Sequence, residues 1–214
     1  DMARKVITIN RQYGSNGRAI GRKLAEHLEI PFFDKDLLRL VKENCGDLSY
    51  KELLKLDERA TGRWKYPVED AWQMQGKYRY ETMNDILFEA ESKLIRYLAQ
   101  EVPCVIIGRC SNYLLRNVPE HVSVYIFAPF EDRVKRVMER SHIGEKEAAK
   151  LINKIDKERR YYYNYHTDAS WSDMSQYDLC IDSSRFTMNE IITMLTGLYL
   201  KWESVPAPGT GENE

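Results

Sequence analysis

The sequence predicts an α/β fold built on a parallel sheet, and three observations lead there. Short apolar runs alternate along the chain with longer stretches of helical periodicity. Two of the runs, 103–107 and 122–128, are apolar on both faces, as strands buried between helix layers are. The first run, Val6-Ile7-Thr8-Ile9, passes through a loop with two glycines straight into a helical pattern.

In order, residues 6–9 read as the first strand and Ile20, Leu24, Ala25 and Leu28 as the apolar face of the first helix. Ile30 to Asp34 is a second strand with the acid at its carboxyl end. Lys35 to Asn44 reads as a helix stopped near Gly46, and Ser49-x-x-Glu52 is a capping-box pattern opening another. Residues 61–70 break the periodicity with Gly62 and Pro67 among basic and aromatic residues, suggesting a mobile lobe. From Tyr80 to Gln100, Met83, Ile86, Leu87, Ala90, Leu94, Tyr97 and Leu98 form one apolar stripe, read as core packing. Strands at 103–107 and 122–128 follow, the second handing over at Pro129 to a helix through Val134, Val137 and Met138. Gly144 to His166 is a long helix ending in a tyrosine cluster. A last strand spans 177–182, and Thr187-x-x-Glu190 caps a closing helix with Ile191, Ile192, Leu195 and Leu198 facing inward. The tail 204–214, rich in Pro, Gly and Glu, reads as disordered.

At 214 residues the chain fits one domain of ordinary size, expected to span 1–203. Its net charge of −1 offers no whole-chain argument for a nucleic-acid or membrane partner, so an anion site must come from local basic residues. No stretch approaches the roughly 20 apolar residues of a membrane span. The four cysteines form no C-x-x-C pair and read as free thiols in a reducing compartment, which makes the cytoplasm the expected location. The four histidines have no metal-ligand spacing, and no metal-binding residues are assigned.

Ligands of parallel α/β sheets sit beyond the carboxyl ends of the strands. Here that edge collects residues 11–18, Asp34, 108–110, Ala128 and Asp182. Gly14-Ser15-Asn16-Gly17-Arg18 could aim backbone N–H groups and a helix N-terminus at phosphate, or be an ordinary strand-to-helix turn. Against a Walker A loop it carries Gln12 for the first glycine, Arg18 for the lysine and Ala19 for the Ser/Thr. Asp34 could bond a sugar or base, or cap the following helix. Arg109 could hold a phosphate, or be a surface arginine in a tight turn. Lys154, Lys157, Arg159 and Arg160 could neutralise a migrating phosphoryl group, or line a solvated face. The adjoining Tyr161-Tyr162-Tyr163-Asn164-Tyr165 could pack the helix, stack on a base or form a dimer contact, and packing is the favoured reading.

These pieces in this order resemble the cytidylate kinase-like family, a divergent branch of the P-loop nucleoside monophosphate kinases. The matching segments are ITINRQYGSNGRAIGRKLAEHLEIPFFDKDLL (7–38), VIIGRCSNYLL (105–115) and DKERRYYYNYHTDASWSDMSQYDLCIDSS (156–184). The resemblance implies a P-loop kinase fold: a five-stranded parallel sheet flanked by helices, a helical substrate-binding insertion at about 35–100 and a lid at about 140–176. It implies that Gly14, Ser15, Asn16, Gly17, Arg18 and Ala19 surround the phosphates of ATP. Asp34 falls at the acid of the D-T-G-A motif that helps bind the acceptor nucleotide, and Arg109 at the arginine of the G-R-D motif that holds its phosphate. Lys157, Arg159 and Arg160 match lid cations, which with Arg18 and Arg109 make up the catalytic set.

The departures bear on the metal. Ala19 has no hydroxyl, and Cys110 stands where G-R-D has its acid, so Mg²⁺ is expected without identified protein ligands. Asp36 and Asp182 are the acids that could compensate, and nothing in the sequence shows that either does. The implied activity is ATP-dependent phosphoryl transfer to a nucleoside monophosphate of the CMP or dCMP kind. The alternatives are a kinase of another small acceptor, or a nucleotide-binding module that has lost catalysis. Nucleotides are the expected partners, and the sequence makes no statement on oligomeric state.

Overall fold

A computed structural model of the chain describes residues 5–35 and 85–201. Its apolar runs form one sheet of five parallel strands: β1 (Val6–Arg11), β2 (Phe32–Phe33), β3 (Cys104–Ile107), β4 (His121–Phe127) and β5 (Leu179–Asp182). The spatial order is β2-β3-β1-β4-β5, all neighbours parallel, so the strand leading into the glycine loop lies at the centre. The helices are α1 (Gly17–Leu28), α2 (Asp85–Glu101), α3 (Ser111–Leu114), α4 (Phe130–Ser141), α5 (Glu145–Thr167) and α6 (Met188–Lys201). The readings at 36–84, including the helix from Lys35, the Ser49–Glu52 capping box, the broken stretch 61–70 and most of the insertion, lie outside the described residues, as does the tail from 204.

Alternation along each strand divides the core between the two faces of the sheet. Ile7, Ile9, Val105, Ile107, Val124, Ile126 and Ile181 pack with Ile20, Leu24 and Ala25 of α1 and Ile191, Ile192 and Leu195 of α6. On the opposite face Val6, Cys104 and Ile106 meet Ile95, Leu98 and Ala99 of α2. Tyr125 meets an aromatic group of Tyr162, Tyr163, Trp171 and Tyr177, so the packing reading holds for two of the four tyrosines of α5. Tyr161 and Tyr165 are exposed and stack on each other.

Two inward assignments change. Tyr97 on α2 is 51% exposed although Ile95, Leu98 and Ala99 beside it are buried, and Leu198 on α6 is 37% exposed between the buried Leu195 and the core-packed Tyr199, so each side chain lies off the face its helix turns to the sheet. The Thr187–Glu190 capping box forms as read: Glu190 Oε2 accepts from the Thr187 N–H and hydroxyl, and Thr187 Oγ1 accepts from the Glu190 N–H. Pro129 and Gly144 are the N-cap residues of α4 and α5.

At the start of β4, His121 Nε2 lies 2.7 Å from Thr8 Oγ1. Burial lowers its pKa to about 4, against the opposing pull of Asp178 and the Leu115 carbonyl. The folded protein therefore holds it neutral while the unfolded chain takes up a proton below its ordinary 6.5. Its contribution to stability is complete above about pH 6.5 and is lost as the pH falls toward 4. Urea titrations of the wild type and His121→Gln at pH 7 and 4.5 should show the stability gap shrinking by about 2 kcal/mol on acidification. A gap independent of pH contradicts the assignment.

Candidate active site

The loop between β1 and α1 sets the geometry of the sheet's carboxyl edge. Gly14 has φ +80° and its missing Cβ would sit 3.0 Å from both the Arg133 carbonyl and Val137. A Cβ on Gly17 would lie 2.5 Å from that of Arg11, so only glycine lets α1 start this close to β1. Asn16, at the N-cap in the left-handed region, makes no side-chain cap. The first-turn N–H groups of α1 have no intrahelical partner and no cap from Asn16, so they are open to water or an anion. The Ser15 hydroxyl donates to the Gln12 carbonyl at 2.8 Å. Gln12 itself stitches β1 to β4, its N–H on the Ile126 carbonyl and its Oε1 accepting from the Ala128 N–H. A side chain is used where a Walker loop has glycine.

Arg18 and Asp34 come together. The Arg18 guanidinium donates through Nε at 3.1 Å and through Nη2 to the same Asp34 oxygen, with both side chains mostly buried. The strand β2 ends at Phe33, which places Asp34 opposite the first turn of α1. Of the two sequence readings for this acid, an ion pair with the loop's own cation was neither.

Arg109 is not a surface arginine. Gly108, Arg109 and Cys110 all have positive φ, of 68°, 58° and 56°, and this run turns the Arg109 side chain inward. Its Nη1 lies 3.2 Å from Glu91 Oε2 of α2, with side-chain exposures of 9% and 4%. The guanidinium lies over the Tyr162 ring at 5.2 Å. Asn10 and Asn112 bond beneath it and reach Tyr163.

The basic run of α5 divides. Lys154, Lys157 and Arg160 are exposed, whereas Arg159 is 8% exposed and donates to the Arg11 carbonyl at 3.0 Å. Arg159 therefore does not share a solvent face with its neighbours, because helical spacing turns it toward Tyr13, whose ring it approaches at 5.6 Å. Sequence reasoning missed Glu91, Arg133, Arg136, Asp156 and Ser183, all of which touch site residues. Asp156 accepts from the Tyr13 N–H at 2.8 Å and from Arg133 Nη1 at 2.7 Å. Burial raises its pKa even against Arg159 and Arg133. The one available signal was the position of Asp156 and Arg159 on one face of α5, three residues apart.

Backbone donors and a glycine-shaped approach fit the phosphates of a nucleotide. The same edge does not fit a protein-held magnesium ion. Ala19 offers no oxygen, the Ser15 hydroxyl is spent on Gln12, and Cys110 is a buried thiol whose pKa burial pushes up to about 12. Asp182 Oδ1 accepts from the Ser184 N–H and hydroxyl. Among the described residues no group of three or more His, Cys, Asp or Glu could hold a metal ion, and none of their helices is long and apolar enough to cross a membrane.

The sequence profile of the cytidylate kinase-like family matches residues 6–185. The chain belongs to this family. Among curated relatives, the family member is 27% identical over 202 residues to a cytidylate kinase of Methanopyrus kandleri, covering 89% of this chain and 90% of the relative. It is 25% identical over 193 residues to a cytidylate kinase of Pyrococcus furiosus, covering 89% and 85%. Among solved structures, an uncharacterized protein from Eubacterium ventriosum superposes with a TM-score of 0.68 at 26% identity, covering 94% of this chain and 100% of that one. A shikimate kinase from Acinetobacter baumannii in complex with shikimate superposes with a TM-score of 0.50 at 14% identity, covering 94% and 96%, a likeness of fold. The fold is that of the P-loop kinases.

Proposed function

We propose that this family member transfers a phosphoryl group from ATP to a nucleoside monophosphate, with CMP or dCMP as the acceptor. The observation that carries the reading is the convergence of the glycine loop, the Arg18–Asp34 pair and Arg109 at the carboxyl ends of β1, β2 and β3. The loop 14–19 and the N-terminus of α1 take the donor phosphates through backbone N–H groups other than that of Ser15, which is bonded to the Gln12 carbonyl, with Arg18 beside them. Arg109, held by Glu91, takes the acceptor phosphate, and Asp34 the acceptor nucleoside. The exposed cations Lys157 and Arg160, with Arg159 behind them, neutralise charge on the moving group. Such transfer needs little covalent work from a protein, so these roles are positioning and charge stabilisation. Magnesium enters with the nucleotide, held by phosphate and water. Residues 1–203 act as one domain, with the acceptor bound by about 35–100 and closure by about 140–176. The buried thiols Cys104 and Cys110 suit the cytoplasm.

An ADP-release assay over a panel of nucleoside monophosphates tests this. Turnover is expected with CMP or dCMP, at kcat on the order of 1–100 s⁻¹. No turnover with any member, beside an active control kinase, refutes it. A second reading, a nucleotide-binding module without catalysis, is favoured by Ala19 and Cys110 at two metal-assisting positions. ATP binding without single-turnover transfer would establish that instead.

A further inference from the structure

Polar backbone groups of the glycine loop are held from outside by residues of three distant elements. The Tyr13 carbonyl accepts from Arg133 Nη1 at 3.1 Å, and the Ser15 carbonyl accepts from the Ser183 hydroxyl at 2.7 Å. The Gly14 carbonyl lies at 3.5 Å from Arg136 Nη1. Arg136 also donates to Ser183, through Nη1 to Oγ at 3.1 Å and through Nη2 to the carbonyl at 2.9 Å. Asp156 takes the Tyr13 N–H. A trans peptide points its N–H opposite to its carbonyl, and no peptide bond here is cis. Drawing the Tyr13 and Ser15 carbonyls toward α4 and the end of β5 therefore turns the N–H groups of Gly14 and Asn16 the other way.

The charge is equally one-sided. Among the described residues, Arg133, Arg136 and Arg159 touch the loop backbone from Arg11 to Gly14, where one carboxylate, that of Asp156, also bonds it. Arg133 and Arg159 are only 6% and 8% exposed, and Arg159 Nη2 is buried without a hydrogen-bond partner. Burying guanidiniums in excess of carboxylates is costly unless an anion offsets them. Arg18, the loop's own cation, is meanwhile bonded to Asp34.

We propose that Arg133, Arg136, Asp156 and Ser183 are positioning residues for the donor phosphates: an outer brace that sets the loop's N–H groups and supplies positive field behind them. This rests on the phosphate-donor reading of the loop. The brace acts on the donor side alone, since none of its bonds reaches Asp34 or Arg109.

The test uses the full chain with Ser183→Ala, Ser183→Thr, Arg136→Gln and Arg136→Lys. Inorganic tripolyphosphate is the probe in calorimetry, and KM is measured for ATP and for the acceptor. Ser183→Ala is expected to raise the tripolyphosphate Kd and the KM for ATP about tenfold, the scale of one net hydrogen bond. Arg136→Gln should raise them further, with Ser183→Thr and Arg136→Lys recovering part of the loss and the acceptor KM unchanged throughout. If Ser183→Ala and Arg136→Gln bind tripolyphosphate as the wild type does, the brace is refuted and the proposed activity stands. An acceptor KM that rises in parallel with that for ATP also overturns it, since general loosening of the fold would do the same. If the wild type binds neither tripolyphosphate nor ATP, the phosphate-donor reading falls and the brace with it.

Discussion

Arg109→Met is expected to lower kcat/KM for the acceptor about a thousandfold and to destabilise the protein by about 3–5 kcal/mol. The two effects have different origins. Stability is lost because Glu91, with 4% of its side chain exposed, keeps a buried charge after its partner at 3.2 Å is removed. Breaking one side of a buried pair costs more than the pair contributes, because desolvation of the remaining ion is no longer offset. Activity is lost because, among the described residues, no other cation lies at the end of β3 to replace the one proposed to hold the acceptor phosphate. Adding Glu91→Gln separates them: the double variant should regain most of the stability in urea titrations and none of the activity. Recovery of both would make Arg109 a purely structural residue.

Arg18→Ala should raise the Kd for ATP by about 30- to 100-fold, the scale of charge-assisted hydrogen bonds to phosphate. Asp34→Asn should leave ATP binding within about threefold of the wild type and raise the acceptor KM at least tenfold. The asymmetry follows from the proposed division of the pair, with the guanidinium serving the donor and the carboxylate the acceptor. Calorimetry with a non-hydrolysable ATP analogue reads the first effect, and steady-state kinetics at saturating ATP reads the second. If Asp34→Asn weakens ATP binding as much as Arg18→Ala does, the two residues act as one structural unit instead.

Much of this was legible along the chain. The first strand, read over 6–9 and formed over Val6–Arg11, and the face of α1 were legible from their own patterns, and Thr187 and Glu190 announced a helix start through a bond spanning three residues. Gly14 and Gly17 were legible as a phosphate-type loop or an ordinary strand-to-helix turn, but their close approach to Val137 and Arg11 was not. Arg159 shows where local reading stops. The four cations Lys154, Lys157, Arg159 and Arg160 look alike in the sequence, and only the packing of α5 against Tyr13 buries one and leaves three exposed.

By itself, then, the sequence determined the class of fold, the place of the glycine loop and the family, because these depend on short-range patterns that consecutive residues carry. Tertiary structure alone decided the partners: the charge pairs Arg18 with Asp34 across 16 residues and Arg133 with Asp156 across 23, and the hydrogen bond from the Ser183 hydroxyl to the Ser15 carbonyl across 168. Those partners are chosen by which strand and helix ends meet at the carboxyl edge of the sheet. A buried ion takes whatever group that meeting offers, since leaving it alone costs more than any local preference can supply.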